Sequence, residues 1–148
     1  MEFRETTIDD VLLLTKFRIQ QLIDAGNVEG EDITEVTKKY FKSQFESNSI
    51  FGFLCYIEGA PVASGSVSLC LYPPSWKIVT GEYAYLHGVF TLPEHRGKGI
   101  AKKIVDLLME EIKSRGYQVV NLQASKYGRG MYEKMGFVQQ DGYMVLRL

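Results

Sequence analysis

The residues best suited to chemistry lie in one short segment, residues 93–101, which reads Pro-Glu-His-Arg-Gly-Lys-Gly-Ile-Ala. An amphipathic pattern follows directly, and its first turn has no Ser, Thr, Asp or Asn to cap the helix that it predicts. The first N–H groups of any helix lack internal partners, and glycines leave that backbone accessible. Arg96 and Lys98 add positive charge beside the positive end of the helix dipole. The segment therefore predicts an anion site, the alternative being an ordinary strand-to-helix turn with solvated charges.

Two common phosphate-binding loops do not match this segment. A Walker A loop needs Ser or Thr after its lysine, and Lys98 is followed by Gly99. A dinucleotide-binding loop needs a third glycine, and Lys102 stands at that position. Another kind of nucleotide-phosphate binder stays open as a hypothesis. It would be favoured if ATP competed, at equal affinity, with the ligand of this loop.

The segment resembles motif A of the GNAT superfamily of N-acetyltransferases, in which Arg or Gln, two residues, Gly, one residue and Gly or Ala follow one another. Arg96, Gly99 and Ala101 satisfy that pattern, and residues 131–137 (Met-Tyr-Glu-Lys-Met-Gly-Phe) resemble motif B, Leu-Tyr-x-x-x-Gly-Phe. The resemblance is specific from about residue 83 to residue 137. It implies transfer of an acetyl group from acetyl-CoA to a primary amine of a small molecule or peptide. The alternative is a non-catalytic module of the same fold that binds and senses acyl-CoA.

The resemblance also implies which residues bind the cofactor. In the family the loop amides bind the CoA pyrophosphate. The fourth strand splays from the fifth, and its free backbone groups hold the pantetheine arm and the thioester carbonyl. Ser125 stands where the family often has Asn. The cofactor-binding residues expected here are Val89, Phe90, Thr91, Arg96, Gly97, Lys98, Gly99, Ile100, Ala101 and Ser125.

Tyr132 occupies the position of the family's general-acid tyrosine. An amine that attacks a thioester expels a thiolate, whose thiol has an unperturbed pKa of about 8.5, whereas tyrosine has a pKa of about 10. Tyr132 would therefore be protonated at neutral pH and able to protonate the departing sulfur. The alternative is a tyrosine packed in the core, with its hydroxyl satisfied by backbone.

The acceptor amine must lose a proton before it attacks, because an alkylammonium with a pKa of about 10.4 is almost fully charged at neutral pH. Alternate residues of a strand share one face, which here groups Tyr83, Tyr85, His87, Val89 and Thr91. Many relatives carry Glu on this face, near position 85 to 87, and this chain does not. His87 is therefore the best candidate for a catalytic base, the alternative being a strand histidine with locally satisfied hydrogen bonds.

The acceptor pocket is expected between the first two predicted helices and the loop at residues 72–81. Tyr72, Trp76 and Tyr85 would form an aromatic wall for a cation or an apolar group. Alternatively, Trp76 only pins the loop. No acidic cluster marks a polyamine or aminoglycoside site, and the sequence does not name the acceptor.

The order of predicted elements is β-α-α-β-β-β-α-β-α-β-β, which is an α/β (α+β) chain with a mixed sheet. The resemblance adds that this sheet is mostly antiparallel and has splayed strands. A connector is predicted at residues 26–31. Strands are predicted at residues 3–6, 51–57, 62–72, 83–91, 119–124, 137–139 and 143–148. The last two flank Asp141-Gly142, a strong hairpin signal.

Length and composition fit one domain over residues 1–148. Hydrophobic residues make up 45% and the formal net charge is −1, so neither a disordered chain nor a basic nucleic-acid binder is expected. No apolar stretch reaches the roughly 18 residues of a membrane span. Cys55 and Cys70 lie in apolar runs, which indicates core thiols and a reducing compartment. Residues 1–5 (Met-Glu-Phe-Arg-Glu) lack the apolar region of a signal peptide, so a cytoplasmic protein is expected. No metal site is predicted, and homodimer formation through the C-terminal hairpin or an edge strand is compatible with the fold.

Overall fold

The computed structural model describes residues 1–26 and 30–148, so residues 27–29 of the predicted connector lie outside the described residues. Short 3-10 turns occupy Ile8–Asp10 and Pro93–His95. The regular elements are β1 (Glu2–Glu5), α1 (Val11–Asp24), α2 (Thr34–Glu46), β2 (Ile50–Ile57), β3 (Ala60–Leu71), β4 (Glu82–Thr91), α3 (Ile100–Ser114), β5 (Val120–Leu122) and α4 (Arg129–Lys134).

The strands form one sheet in the order β1-β2-β3-β4-β5. All neighbours are antiparallel except β4 and β5, which are parallel, and this confirms the predicted mixed, mostly antiparallel sheet. The β4–β5 pairing extends only from Ala84 opposite Val120 to Leu86 opposite Leu122. Residues 87–91 of β4 therefore continue with no strand partner on that side among the described residues, as expected for splayed strands.

Helices cover both faces of the sheet, which explains why the central strands are buried. Phe17 of α1 and Phe41 of α2 pack with Leu54 and Phe90 on one face. On the other face, α3 buries one side along its whole length against strand residues such as Cys55 and Val67. The buried side of α3 consists of Ile100, Ile104, Val105, Leu108 and Ile112.

A β-bulge in β4 changes which residues share a face. Ser64 of β3 lies opposite Phe90 and Ser66 lies opposite His87, so β4 has one residue more than β3 in this interval. Gly88 has a φ of +63°, which a residue with a side chain adopts only with strain. The prediction that all odd positions of β4 share a face is wrong beyond this bulge. Val89 packs toward α3, whereas Phe90 packs in the cluster of α1 and α2.

The two strands predicted after α4 are not formed. Residues 137–148 have no regular structure, and side chains such as Tyr143 (87%) and Leu146 (83%) are exposed. The signal at Asp141-Gly142 is local, and an isolated two-stranded hairpin is only marginally stable in water. The neighbouring sheet edge, β5, is three residues long and offers such a hairpin few backbone partners.

Three compositional expectations can be compared with the fold. Cys55 is a buried free thiol, and Cys70 is a partly buried one. No helix within the described ranges is long and apolar enough to cross a membrane. In the same ranges, no group of three or more His, Cys, Asp or Glu side chains is arranged to hold a metal ion.

Candidate functional site

The loop before α3 is held open by two left-handed glycines. Gly97 and Gly99 have φ values of +75° and +76°, and Gly99 caps α3 without any side-chain hydrogen bond. The first helical bond of α3 runs from the Lys103 N–H to the Gly99 carbonyl, at 3.0 Å. Within the described part of the chain, no group accepts a hydrogen bond from the backbone N–H groups of residues 97–101. These amides converge at the positive end of a 15-residue helix, a geometry that suits an anion.

The two basic side chains of this loop make local contacts. Arg96 donates from Nε to the Thr91 carbonyl at 2.9 Å, and its Nη2 pairs with the Asp24 carboxylate at the end of α1. Its guanidinium also lies over the Phe90 ring, 5.8 Å from the centroid. Lys98 donates from Nζ to the Glu94 carbonyl at 3.1 Å. Arg96 thus fastens the loop to β4 and α1, and Lys98 bonds within the loop.

The unpaired segment of β4 ends next to this loop. The Val89 carbonyl accepts a hydrogen bond from Gln21 Nε2 at 3.0 Å, and the Gly88 carbonyl accepts one from Ser64 Oγ at 3.1 Å. Thr91 Oγ1 is buried and has no hydrogen-bond partner among the described residues. A buried hydroxyl without a partner is costly. The gap and the open amides fit an elongated ligand with amide groups and a diphosphate.

Tyr132 lies in the core on the α3 side of the sheet and is 9% exposed. Its ring packs edge-on against Phe137, with ring centroids 5.6 Å apart. Burial raises the pKa of Tyr132 to about 12, and its hydroxyl makes no hydrogen bond with the described residues. The phenol therefore keeps its proton at neutral pH, without the backbone partner that a purely structural tyrosine would have.

Ser125 has a local role in the turn that leads into α4. Its Oγ accepts a hydrogen bond from the Gly128 N–H at 3.2 Å, and its carbonyl accepts others from Gly128 and Arg129. A Cβ at Gly128 would lie 3.1 Å from Cε2 of Tyr132, so the turn packs closely on the tyrosine ring. Ser125 is exposed, and its contacts position α4 and thereby Tyr132.

A pocket of about 330 Å³ opens between α1, α2 and β4, on the opposite side of the sheet from Tyr132. His87 lies in its wall, and its ring stacks against Tyr85 with centroids 5.6 Å apart. His87 Nε2 is 2.8 Å from Ser68 Oγ, which is 2.6 Å from the Tyr40 hydroxyl. These three side chains form a hydrogen-bonded chain that ends at a 40% exposed tyrosine. The pocket is lined by Arg18, Val36, Thr37, Tyr40, Phe41, Tyr85 and His87.

Burial and charge shift the pKa values of His87 and Tyr85 in this pocket. Burial, assisted by the positive charge of Arg18, lowers the pKa of His87 to about 4. Burial also raises the pKa of Tyr85. His87 is therefore a neutral imidazole across the physiological range, and its ability to hold an added proton is weak.

The expected aromatic wall is not assembled. Tyr85 lines the pocket, but Tyr72 packs edge-on against Tyr83 with centroids 5.1 Å apart, and Trp76 is fully exposed. The loop closes on itself instead, because the Tyr72 N–H donates to the Gly81 carbonyl at 2.8 Å. This closure leaves Trp76 outside the seven residues that line the pocket.

Sequence reasoning missed three polar members of this pocket region, Arg18, Tyr40 and Ser68. Arg18 follows the buried Phe17 in the apolar pattern of α1, and Tyr40 precedes the buried Phe41 in α2. Each therefore lies at the border of a buried helix face, which is the only signal that the sequence carries. Ser68 is a small residue within an apolar strand, and nothing in the sequence pairs it with His87.

Known proteins share both the sequence pattern and the fold. A crystal structure of a predicted acetyltransferase with acetyl-CoA from Clostridium acetobutylicum has a TM-score of 0.95 and 31% identity, over 99% of this chain and 95% of that one. Glucosamine 6-phosphate N-acetyltransferase of Arabidopsis thaliana is 32% identical over 68% of this chain and 70% of its own length. An uncharacterised N-acetyltransferase of Methanocaldococcus jannaschii is 27% identical over 69% of this chain.

The match spans only 45% of the length of the M. jannaschii protein. The description of the matching family model is "Acetyltransferase (GNAT) family", and this model covers residues 17–137, from within α1 to just beyond α4. That interval contains the open loop before α3, the unpaired segment of β4 and Tyr132. The chain belongs to the acetyltransferase (GNAT) family.

Proposed function

We propose that this chain transfers an acetyl group from acetyl-CoA to a primary amine of a small molecule or peptide. One observation carries the proposal. The free backbone N–H groups of residues 97–101 adjoin the segment of β4, residues 87–91, that has no strand partner on its outer side. Such a surface offers a diphosphate its donors and an amide-bearing arm a strand edge.

The proposed cofactor-binding residues form two groups, one in the loop before α3 and one at the edge of β4. The amides of Arg96, Gly97, Lys98, Gly99, Ile100 and Ala101 would hold the diphosphate, and those of Val89, Phe90 and Thr91 the pantetheine arm. Ser125 would act indirectly, through its turn and Tyr132. When bound, acetyl-CoA supplies an acetyl group activated as a thioester.

Tyr132 is proposed as the hydrogen-bond donor and general acid for the departing thiolate. As the new C–N bond forms and the C–S bond breaks, the sulfur gains negative charge and the phenolic proton moves toward it. The pKa of about 12 lies above the thiol value of about 8.5, so complete transfer in isolation would cost about 5 kcal/mol. The contribution of Tyr132 is therefore largest while the charge develops, and solvent replaces the proton afterwards.

His87 is proposed to accept the proton of the acceptor amine and to transfer it at once to the next hydrogen-bonded group. A protonated His87 with a pKa of about 4 loses its proton readily at neutral pH. Ser68 and Tyr40 continue from His87 in hydrogen bonds of 2.8 Å and 2.6 Å, and the Tyr40 residue is 40% exposed, so this chain would carry the proton onward. This route replaces the strand carboxylate that many relatives use.

The first test is calorimetric titration of the protein with acetyl-CoA in the absence of acceptor, followed by a screen of amines, amino acids and peptides for thiol release. Tyr132→Phe should lower kcat by about 10²- to 10⁴-fold and leave the Kd for CoA within about twofold. Tyr127→Phe is the matched control, because Tyr127 is 74% exposed and lies outside the core.

Each outcome has a distinct meaning. Absence of binding at millimolar acetyl-CoA would overturn the proposal, although family and fold would stand. Binding without turnover of any acceptor would favour the non-catalytic acyl-CoA-binding module, which the missing strand carboxylate also favours.

A further inference from the structure

We infer that the acceptor carries an anionic group, a carboxylate or a phosphate, close to its amine, and that Arg18 recognises this group. The inference rests on the proposed function, because it assigns the substrate class of the same site. It narrows the proposed class of acceptors from small-molecule or peptide amines to small amines of the amino-acid or amino-phosphate type.

Arg18 has a guanidinium that is not committed to a carboxylate. It is partly buried in α1 and lines the pocket beside Tyr85 and His87. Its one hydrogen bond within the described part of the chain runs from Nη1 to Gln21 Oε1, at 2.8 Å. A guanidinium has five N–H donors in a fork that matches a carboxylate or phosphate, so most of its donors remain for a ligand.

The charge of the pocket supports an anionic ligand. No acidic side chain of the described residues lines it, and Arg18 is the only lining residue with a permanent charge. The positive charge of Arg18 helps burial to lower the pKa of His87, and it opposes the rise that burial causes in the pKa of Tyr85. The described lining therefore carries a positive charge. An acceptor whose only charge is an ammonium is repelled there, whereas one that also carries an anion has its charge matched.

Gln21 fixes the position of Arg18 relative to the unpaired segment of β4. Its Oε1 accepts from Arg18, and its Nε2 donates to the Val89 carbonyl at 3.0 Å. The anion-binding group is therefore linked through one side chain to the strand proposed to hold the thioester. An anion at Arg18 with an amine near His87 and Val89 requires that the two groups lie close together on the acceptor. The aromatic rings of Tyr40, Phe41 and Tyr85 would cover its apolar part.

The test compares acceptors with and without the anion, and each kcat/KM is expressed per concentration of neutral amine, because the neighbouring group also changes the pKa of the amine. L-Phenylalanine is compared with 2-phenylethylamine and with phenylalaninamide for the carboxylate, and O-phosphoethanolamine with ethanolamine for the phosphate. In one of the two series the anionic acceptor should have a kcat/KM about 10- to 100-fold higher, and that series identifies the anion. Arg18→Gln should abolish the preference, and Arg18→Lys should keep part of it. Lys16→Gln is the matched control, because it removes an exposed cation on the same helix outside this pocket.

A binding measurement separates this inference from the proposed function. The same ligands are titrated by calorimetry into the protein saturated with CoA, which lacks the acetyl group. Tighter binding of an anionic amine that Arg18→Gln abolishes, without acetyl transfer, would support the inference and overturn the function. Equal or faster acetylation of the amines that lack the anion would overturn the inference and leave the function intact. The inference is also overturned if no anionic amine binds or reacts better than the matching amine without the anion.

Discussion

The surroundings of His87 lower its pKa, and this has a consequence for the stability of the fold. Its pKa is about 4 in the folded chain against an ordinary 6.5, so the unfolded chain takes up a proton in the interval between these values. Stability is therefore lost as the pH falls from 6.5 toward 4, by about 2 to 3 kcal/mol in total. Urea unfolding of the wild type and of His87→Gln at pH 7.5 and 4.5 should show a smaller loss in the variant.

The control for this measurement is His95→Gln, which removes the only other histidine of the sequence, in the turn before α3. It should keep the pH dependence of the wild type. An unchanged loss in His87→Gln would show that other groups cause it.

The same two pKa values predict the pH dependence of the reaction. Neither His87, at about 4, nor Tyr132, at about 12, titrates between pH 6 and 9. For an acceptor amine with a pKa of about 10.4, log kcat/KM should therefore rise by about one for each pH unit, without a break. Thiol release measured at saturating acetyl-CoA tests this. A break near pH 6.5 that disappears in His87→Gln would instead assign an ordinary histidine base.

The N-terminus of α3 can be tested against the other end of the same helix. Gly99 and Gly116 have φ values of +76° and +80°, and a Cβ on either meets nothing within 4 Å. Alanine at each position should cost about 1 to 2 kcal/mol of stability, because a side chain disfavours this conformation. Only Gly99→Ala places a methyl group where the diphosphate is proposed to bind, so its Kd for CoA should rise about tenfold or more. Calorimetry and urea unfolding of the two variants test this, and equal CoA affinity would exclude Gly99 from the site.

The elements that sequence reasoning located well are those with a strong local pattern. The hydrophobic repeat of α3 predicts a helix from residue 100 to residue 115, and the structure has Ile100–Ser114. The loop before it was found because the unusual glycine spacing and the absent cap are both visible in the sequence. The C-terminal strands were not predicted correctly, since a hairpin signal says nothing about whether a sheet edge is available.

The bulge at Gly88 and the pocket between α1, α2 and β4 could not be predicted from the sequence. A single extra residue reverses the alternation of every later position, and Gly88 looks like any other glycine of a strand. The pocket depends on how α1 and α2 cross β4, which brings Arg18 and Tyr40 to one wall. Neither relationship follows from spacing along the chain.

At the scale of the whole molecule, the proposed sites place the two substrates on different sides of the sheet, with β4 contributing to both. Before the bulge, Tyr85 and His87 face the pocket under α1 and α2, whereas Val89 after it packs toward α3. In the proposed function, one strand would present side chains to the acceptor on one face. It would also present backbone to the cofactor at its unpaired edge. We expect the acceptor and acetyl-CoA to approach from different sides, which favours a complex containing both at once.

Cofactor binding should also change the stability of the whole fold, because the site joins α3, β4 and the end of α1. A ligand that binds only the folded chain stabilises it by about 2.7 kcal/mol at 100 times its Kd, which for this length raises Tm by about 5 to 10 °C. CoA should reach that shift, pantetheine should give a much smaller one since it lacks the diphosphate, and Gly99→Ala should reduce the CoA shift at equal concentration. Thermal unfolding followed by circular dichroism measures all three.

ATP should shift Tm less than CoA, because it has phosphates but no arm to pair with residues 87–91. An equal shift by ATP would mean that the loop binds phosphate alone, and it would favour the nucleotide-phosphate hypothesis over the acetyl-CoA site.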